Sequence, residues 1–134
     1  ARTATVPVTD IGMHVGPMFD EVEAALPDTC GLLETPIAEY RHTDDGMHLT
    51  IGYAYGGEPV EGIDLIDLPA VERAVCGIHL GPMSGISDTW HALHAEMLAR
   101  GYVPSGPCRE HYVRAVGDDQ TDWVTELQQP AARA

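Results

Sequence analysis

The sequence predicts an α+β fold made of two tandem βαββ units. Three observations carry that reading. Stretches of period-two alternation and stretches of helical spacing follow one another in the same order twice along the 134 residues. MHVGPM at 13–18 and IHLGPM at 78–83 place a Gly-Pro at what reads as the same strand-to-helix junction in each half. Pro36-Ile37-Ala38-Glu39 is matched by Pro107-Cys108-Arg109-Glu110 at the start of the strand after each helix. An internal duplication dictates architecture, so one domain over residues 1–130 is expected, with repeats at about 1–59 and 60–130. Duplicated units of this kind pair their antiparallel sheets about a pseudo-twofold axis. The groove left between such halves is a common place for a ligand.

Residues 3–9 (TATVPVT) read as a strand, with Pro7 marking an edge or a bulge. Gly16-Pro17 opens the first helix, because proline suits the first helical position. Asp20, Glu21 and Glu23 then fall near the positive helix end. Phe19, Val22 and Leu26 form its inward face, and Pro27 stops it, so the helix is expected to be short. Strands follow at 35–42 and 47–55, joined by the turn Thr43-Asp44-Asp45-Gly46. Leu49, Ile51, Tyr53 and Tyr55 share one face of the second. Gly56-Gly57-Glu58-Pro59 ends the half.

The second half begins with a strand at 70–80, and Gly81-Pro82 leads into a helix striped by Ile86, Trp90, Leu93 and Met97. Arg100-Gly101 is its exit. A strand at 108–116, a polar loop at 117–120 and a last strand at 122–128 complete the unit. Pro130 and the tail at 131–134 are expected to be disordered.

Charge narrows the function. Seven Lys and Arg against 21 Asp and Glu give a formal net charge of −14. Such a chain repels phosphates, so nucleic acid is excluded as a direct partner, while organic cations are attracted. No run is long enough to span a membrane and no signal peptide is recognisable, so no membrane partner and a cytoplasmic location are the default expectation. Cys30, Cys76 and Cys108 are odd in number and form no CxxC pair, so they read as buried or half-buried thiols. The chain starts at Ala1 without a methionine, which suggests a processed protein or a piece of a longer one.

Glu110 shares a strand face with Cys108 and Tyr112. Facing inward, it needs a cationic partner or hydrogen-bond donors; facing outward, it pairs with a neighbour such as Arg109 or Arg114. Trp90 either packs in the core or borders the groove. Tyr53 and Tyr55 divide between core and groove, Phe19 leans towards the core as the counterpart of Trp90, and Glu39 is the repeat mate of Glu110. His91 and His94, three apart on a helix, lack a third ligand at metal spacing and read as a solvated helix edge, so no metal is expected. His14 and His79, the histidines before each GPM, read as structural. No nucleophile motif and no phosphate loop is present, and no cofactor is implied.

The arrangement resembles the GyrI-like effector-binding domain, which occurs fused to MerR-type and AraC-type DNA-binding modules and also alone. The resemblance runs from Thr3 to Gln128 and is densest in GYVPSGPCREHYVRAVGDDQTDWVTELQQP, residues 101–130. There a helix leaves through Gly-Tyr, a Gly-Pro leads to a strand with Glu-x-Tyr, and an acidic loop precedes a closing strand with Thr-Glu-Leu-Gln-x-Pro. The resemblance implies a bacterial regulator's sensor for a hydrophobic, cationic or polycyclic drug. Its glutamate, at the base of an aromatic-lined pocket, corresponds to Glu110, with Tyr112, Trp90, Tyr53, Tyr55 and Phe19 as candidate ligand contacts. The partner is then a small-molecule effector, and any DNA-binding domain lies upstream or is absent. The alternative is a stand-alone hydrolase of cyclopropane-type electrophilic drugs using Glu110 and Tyr112. Two departures concern the pocket: TIGYAYGG stands where relatives often carry an acidic residue and then a proline, and the first helix looks short.

Overall fold

The computed structural model describes residues 1–26 and 33–134, with side chains from residue 35 in the second stretch. The expected stop at Pro27 and the thiol of Cys30 lie outside the described residues. The chain divides into two compact units, Ala1–Pro69 and Ala70–Ala134. It is α+β, and each unit has the order strand, helix, strand, strand, with one short extra strand in the second.

In the first unit, strand β1 (Arg2–Val6) leads through a 3-10 turn at Val8–Asp10 into helix α1 (Ile11–Ala25). Strands β2 (Leu33–Thr43) and β3 (Gly46–Tyr55) then form a hairpin. β3 is central, antiparallel to both β1 and β2. The hairpin turn requires glycine: Gly46 has φ +139°, and a Cβ there would run into the Val6 carbonyl. Val6, Met18, Val22, Leu26, Ala38, Tyr40, Met47, Leu49 and Ile51 make an entirely apolar and aromatic core.

α1 is not short. It starts at Ile11, more than a turn before Gly16-Pro17, and carries Pro17 inside it. Pro7 ends β1 and caps the 3-10 turn, whose Asp10 N–H donates to the Pro7 carbonyl at 2.9 Å. Pro17 removes one helical hydrogen bond. Met13, Gly16 and Pro17 are all exposed, so water can satisfy the vacated carbonyl. Of the expected inward residues, Val22 and Leu26 are buried with Met18, while Phe19 is half-buried.

In the second unit, strand β4 (Ala74–Leu80) leads through a 3-10 turn at Met83–Gly85 into helix α2 (Ile86–Ala99). Gly101 (φ +83°) ends the helix in the left-handed region, its N–H donating to the Leu98 carbonyl at 3.0 Å. Strands β5 (Tyr102–Pro104), β6 (Cys108–Arg114) and β7 (Val124–Arg133) follow, with a 3-10 turn at Gln120–Asp122. β7 is antiparallel to β4, β5 and β6. The chain after Pro130 is therefore ordered: Ala131, Ala132 and Arg133 pair with Pro104, Val103 and Tyr102. Ladder bonds to β5 offset the entropy that a free tail would keep.

The registers give the correspondence between the units. Leu49 opposes Tyr40 and Ala4, and Thr125 opposes Tyr112 and His79. One rung on, Ile51 opposes Ala38 and Arg2, and Leu127 opposes Glu110 and Gly77. Pro7 and Pro82 each cap a three-residue 3-10 turn that runs into Ile11 and Ile86. Met18 and Val22 then match Leu93 and Met97 as the buried helix pair. Three expectations change. MHVGPM lies inside α1, whereas IHLGPM spans the end of β4 and its turn, so His14 is not the mate of His79. The mate of Glu110 is Ala38, not Glu39, because Glu39 opposes Thr50 on the other face. Trp90 corresponds to Val15, and Phe19 to His94.

The cores differ in kind. The four buried polar or charged residues among those described, His79, Glu110, Thr125 and Gln129, all lie in the second unit. At the matching positions the first unit has Ala4, Ala38, Leu49 and Tyr53. Buried polar groups are costly unless partnered, so the second unit must supply partners that the first does not need. Of the other thiols, Cys76 is exposed, contrary to expectation, and Cys108 is half-buried.

Candidate functional site

β6 turns Glu110 and Tyr112 to the same face by simple alternation, and both are buried. The Tyr112 hydroxyl donates to Glu110 Oε1 at 2.6 Å. From α2, the indole N–H of Trp90 donates to Glu110 Oε2 at 2.7 Å. Both carboxyl oxygens thus accept from aromatic side chains, one buried and one half-exposed. The inward reading of Glu110 is the correct one: its donors are a phenol and an indole on its own face.

The network continues past Trp90. His94 lies one turn further along α2 and stacks on the indole, with ring centroids 5.5 Å apart and planes 27° apart. Its Nε2 lies 3.0 Å from Oε1 of buried Gln129. The Gln129 amide nitrogen donates to the carbonyls of Gly106 and Pro130, both at 3.0 Å. The amide oxygen is left as the acceptor, so His94 Nε2 carries the proton. His94 is therefore not on a solvated helix edge. It is half-buried between Trp90 and Gln129, and only His91 is exposed.

A second buried latch fixes how α2 begins. His79 Nε2 donates to the Pro82 carbonyl at 2.8 Å, and its Nδ1 lies 2.6 Å from the Thr89 hydroxyl. With Nε2 as donor to a carbonyl, Nδ1 is left to pair with the Thr89 hydroxyl. Thr89 precedes Trp90, so the latch sets the helix turn that aims the indole at Glu110. On the same rung as His79, the Thr125 hydroxyl points at the Met83 sulfur, 3.6 Å away.

The remaining sequence candidates fall in the first unit. Tyr53 and Tyr55 line a cavity of about 250 Å³ together with Val22, Leu26, Ile37 and residues 60–68 of the connector. Neither tyrosine is buried in the core. The Tyr53 hydroxyl donates to Glu23 Oε2 at 3.4 Å, and that of Tyr55 to the Glu58 carbonyl at 2.9 Å. Phe19 meets the Tyr53 ring edge-on at 5.6 Å and 71°. Burial pushes the Tyr53 phenol above its ordinary pKa of 10.0, and the charges of Glu23 and Asp20 and the Glu23 hydrogen bond add to this.

Sequence reasoning missed His94, Gln129 and the role of His79. His94 carried a usable signal, four residues after Trp90 on a helix. Gln129 lay just past the expected end of the last strand. Among the described residues no group of three or more His, Cys, Asp or Glu is placed to hold a metal ion. No helix there is long and apolar enough to cross a membrane.

Comparison with known proteins agrees with the fold. The structure is similar to the crystal structure of the EcmrR C-terminal domain, with a TM-score of 0.69 and 22% identity, over 99% of this chain and 89% of that one. It is also similar to EcmrR in the cryo-EM structure of its DNA complex, with a TM-score of 0.68 and 23% identity. There the match covers 99% of this chain but 53% of that one, so this chain spans about half the length of that protein. No curated protein sequence is a significant match. The profile of the GyrI-like small molecule binding domain matches residues 38–132, which include Glu110, Trp90, His94 and Gln129, and the chain belongs to that family.

Proposed function

We propose that this chain is the effector-binding domain of a transcriptional regulator and takes up a hydrophobic, positively charged or polycyclic molecule at Glu110. The observation that carries this is the aromatic frame of the carboxylate, with Trp90 at 2.7 Å and Tyr112 at 2.6 Å. An indole and a phenol around an acidic group offer a cation two attractions, the carboxylate charge and the negative ring faces. Half-exposed Trp90 is the member of the trio that an incoming molecule reaches first. Affinity comes from apolar burial, about 25 cal/mol per Å², and Glu110 supplies charge selection. The formal charge of −14 draws cations towards the chain and opposes contact with phosphates. In a regulator of this kind, DNA binding therefore falls to another domain, of the MerR type by resemblance.

Trp90 makes the proposal directly measurable. With Trp123→Phe, the tryptophan emission of the protein comes from Trp90 alone. Titration with 9-aminoacridine, a planar cation at neutral pH, is expected to quench it saturably at one equivalent. Emission that falls only linearly, without saturation, would rule out a site at Trp90.

A further inference from the structure

We propose that the first unit holds a separate site for a small aromatic molecule, uncharged or singly cationic, in the cavity walled by α1, β3 and the 60–68 connector.

Size sets the class of occupant. The cavity measures about 250 Å³. An apolar cavity of about 150 Å³ accepts benzene, and drug-sized sites begin near 300 Å³, so one ring or two fused rings fit here. The walls set its character. Val22 comes from α1 and Leu26 from just past its end, Ile37 from β2, and Ile63 and Ile66 from the connector, and the surface between them is predominantly apolar. The two tyrosine hydroxyls are engaged with Glu23 and with the Glu58 carbonyl, so the tyrosines offer the cavity chiefly their rings. Phe19, edge-on to Tyr53, holds that ring in place.

Charge excludes one ligand class. Asp64 lies in the lining, and the Glu23 carboxylate accepts from the Tyr53 hydroxyl at 3.4 Å. The Ala1 amino group is also in the lining, but the Asp64 and Glu23 carboxylates outnumber it, so an anion meets net negative charge that a neutral ring or an ammonium does not oppose.

The connector has a reason to close on an occupant. Ile63-Asp64-Leu65-Ile66-Asp67-Leu68 is mostly apolar, yet Leu65 is 59% and Ile66 40% exposed. The segment forms no helix or strand and is tied by the Asp64 N–H to the Ala1 carbonyl at 2.9 Å. A bound ring gives these side chains apolar contact, so binding should order the backbone that joins the two units.

The test uses indole, tryptamine and indole-3-acetate as neutral, cationic and anionic probes of one ring system, with calorimetry for affinity and hydrogen exchange for location. Indole should bind the wild-type chain and Glu110→Gln equally within about twofold; in Glu110→Gln tryptamine should still bind, and indole-3-acetate should bind at least about tenfold more weakly than indole. Amides at 60–68 should exchange more slowly when indole is bound, and Ile63→Trp, which fills the cavity, should reduce indole affinity by at least about tenfold. Unchanged exchange at 60–68 overturns the proposal, as does undiminished binding to folded Ile63→Trp. Loss of indole binding in Glu110→Gln, or equal binding of the anion, overturns it too. Should Ile63→Trp fail to fold, exchange at 60–68 in the wild-type chain decides alone.

Discussion

The indole N–H of Trp90 and the carboxylate of Glu110 meet at 2.7 Å, joining a half-exposed residue of α2 to a buried residue of β6. Tyr112 donates to the other oxygen of the same carboxylate at 2.6 Å. Removing either donor takes away a hydrogen bond to a buried charged acceptor, which costs about 1.5–3 kcal/mol. Trp90→Phe and Tyr112→Phe should each lower stability by about that amount in urea unfolding. Because they share one acceptor, their double mutant should depart from additivity by about 0.5 kcal/mol or more. Strict additivity would mean that the two donors do not act on one group.

His79 and Thr89 make a second testable pair, 2.6 Å apart. Thr89→Val keeps the shape and deletes the hydroxyl, leaving Nδ1 of a buried ring unsatisfied. A loss of about 1–3 kcal/mol is expected, together with a change in the near-UV circular dichroism of the adjacent Trp90. A change within about 0.5 kcal/mol, the range of neutral surface substitutions, with an unaltered spectrum, would show that the latch does not set the start of α2.

His111 makes stability depend on pH. Burial lowers its pKa from the ordinary 6.5, Glu126 opposes that shift, and Arg109 adds to it. The unfolded chain therefore takes up the proton first as pH falls. Stability should be fully present above 6.5 and decline as pH drops from there towards the lower folded value. His111→Gln should flatten that part of the curve, as read by urea midpoints between pH 7.5 and about 5. An unchanged slope would assign the effect to other groups.

Gly46 sits at φ +139°, where a Cβ would strike the Val6 carbonyl. Gly46→Ala should cost about 1–3 kcal/mol through backbone strain, seen as a lower thermal midpoint. An unaltered midpoint would mean that the β2–β3 turn relaxes freely.

The order of elements was legible because alternation and helical spacing are written into each segment. The correspondence between the halves was not, because Gly-Pro punctuates chains wherever a turn or a first helical position suits it. Pro17 has neither role and sits inside α1, which made two similar words look equivalent when the structure uses them differently. Glu39 shows a related effect: the two Pro-x-x-Glu words sit one residue apart in register, Ala38 opposing Ile51 where Glu110 opposes Leu127, and one residue moves a side chain to the other face. Glu110 and Tyr112 were visible as a pair two apart on a strand. Their donor Trp90 and the His94–Gln129 extension depend on which helix turn faces which strand, and a single sequence carries only part of that. The alternation of Thr125, Leu127 and Gln129 is present in the sequence, but Pro130 reads there as a stop, whereas it is a position in β7 that pairs with Ala74.

The central claim is that the aromatic-framed carboxylate of Glu110 selects positive charge. The most direct test compares 9-aminoacridine with acridine, its uncharged parent at neutral pH, on the wild-type chain and on Glu110→Gln by calorimetry. The account predicts that Glu110→Gln weakens the cation by about tenfold or more, equivalent to about 1.4 kcal/mol, and leaves acridine within about twofold. Equal losses for both compounds, or none for either, would contradict it.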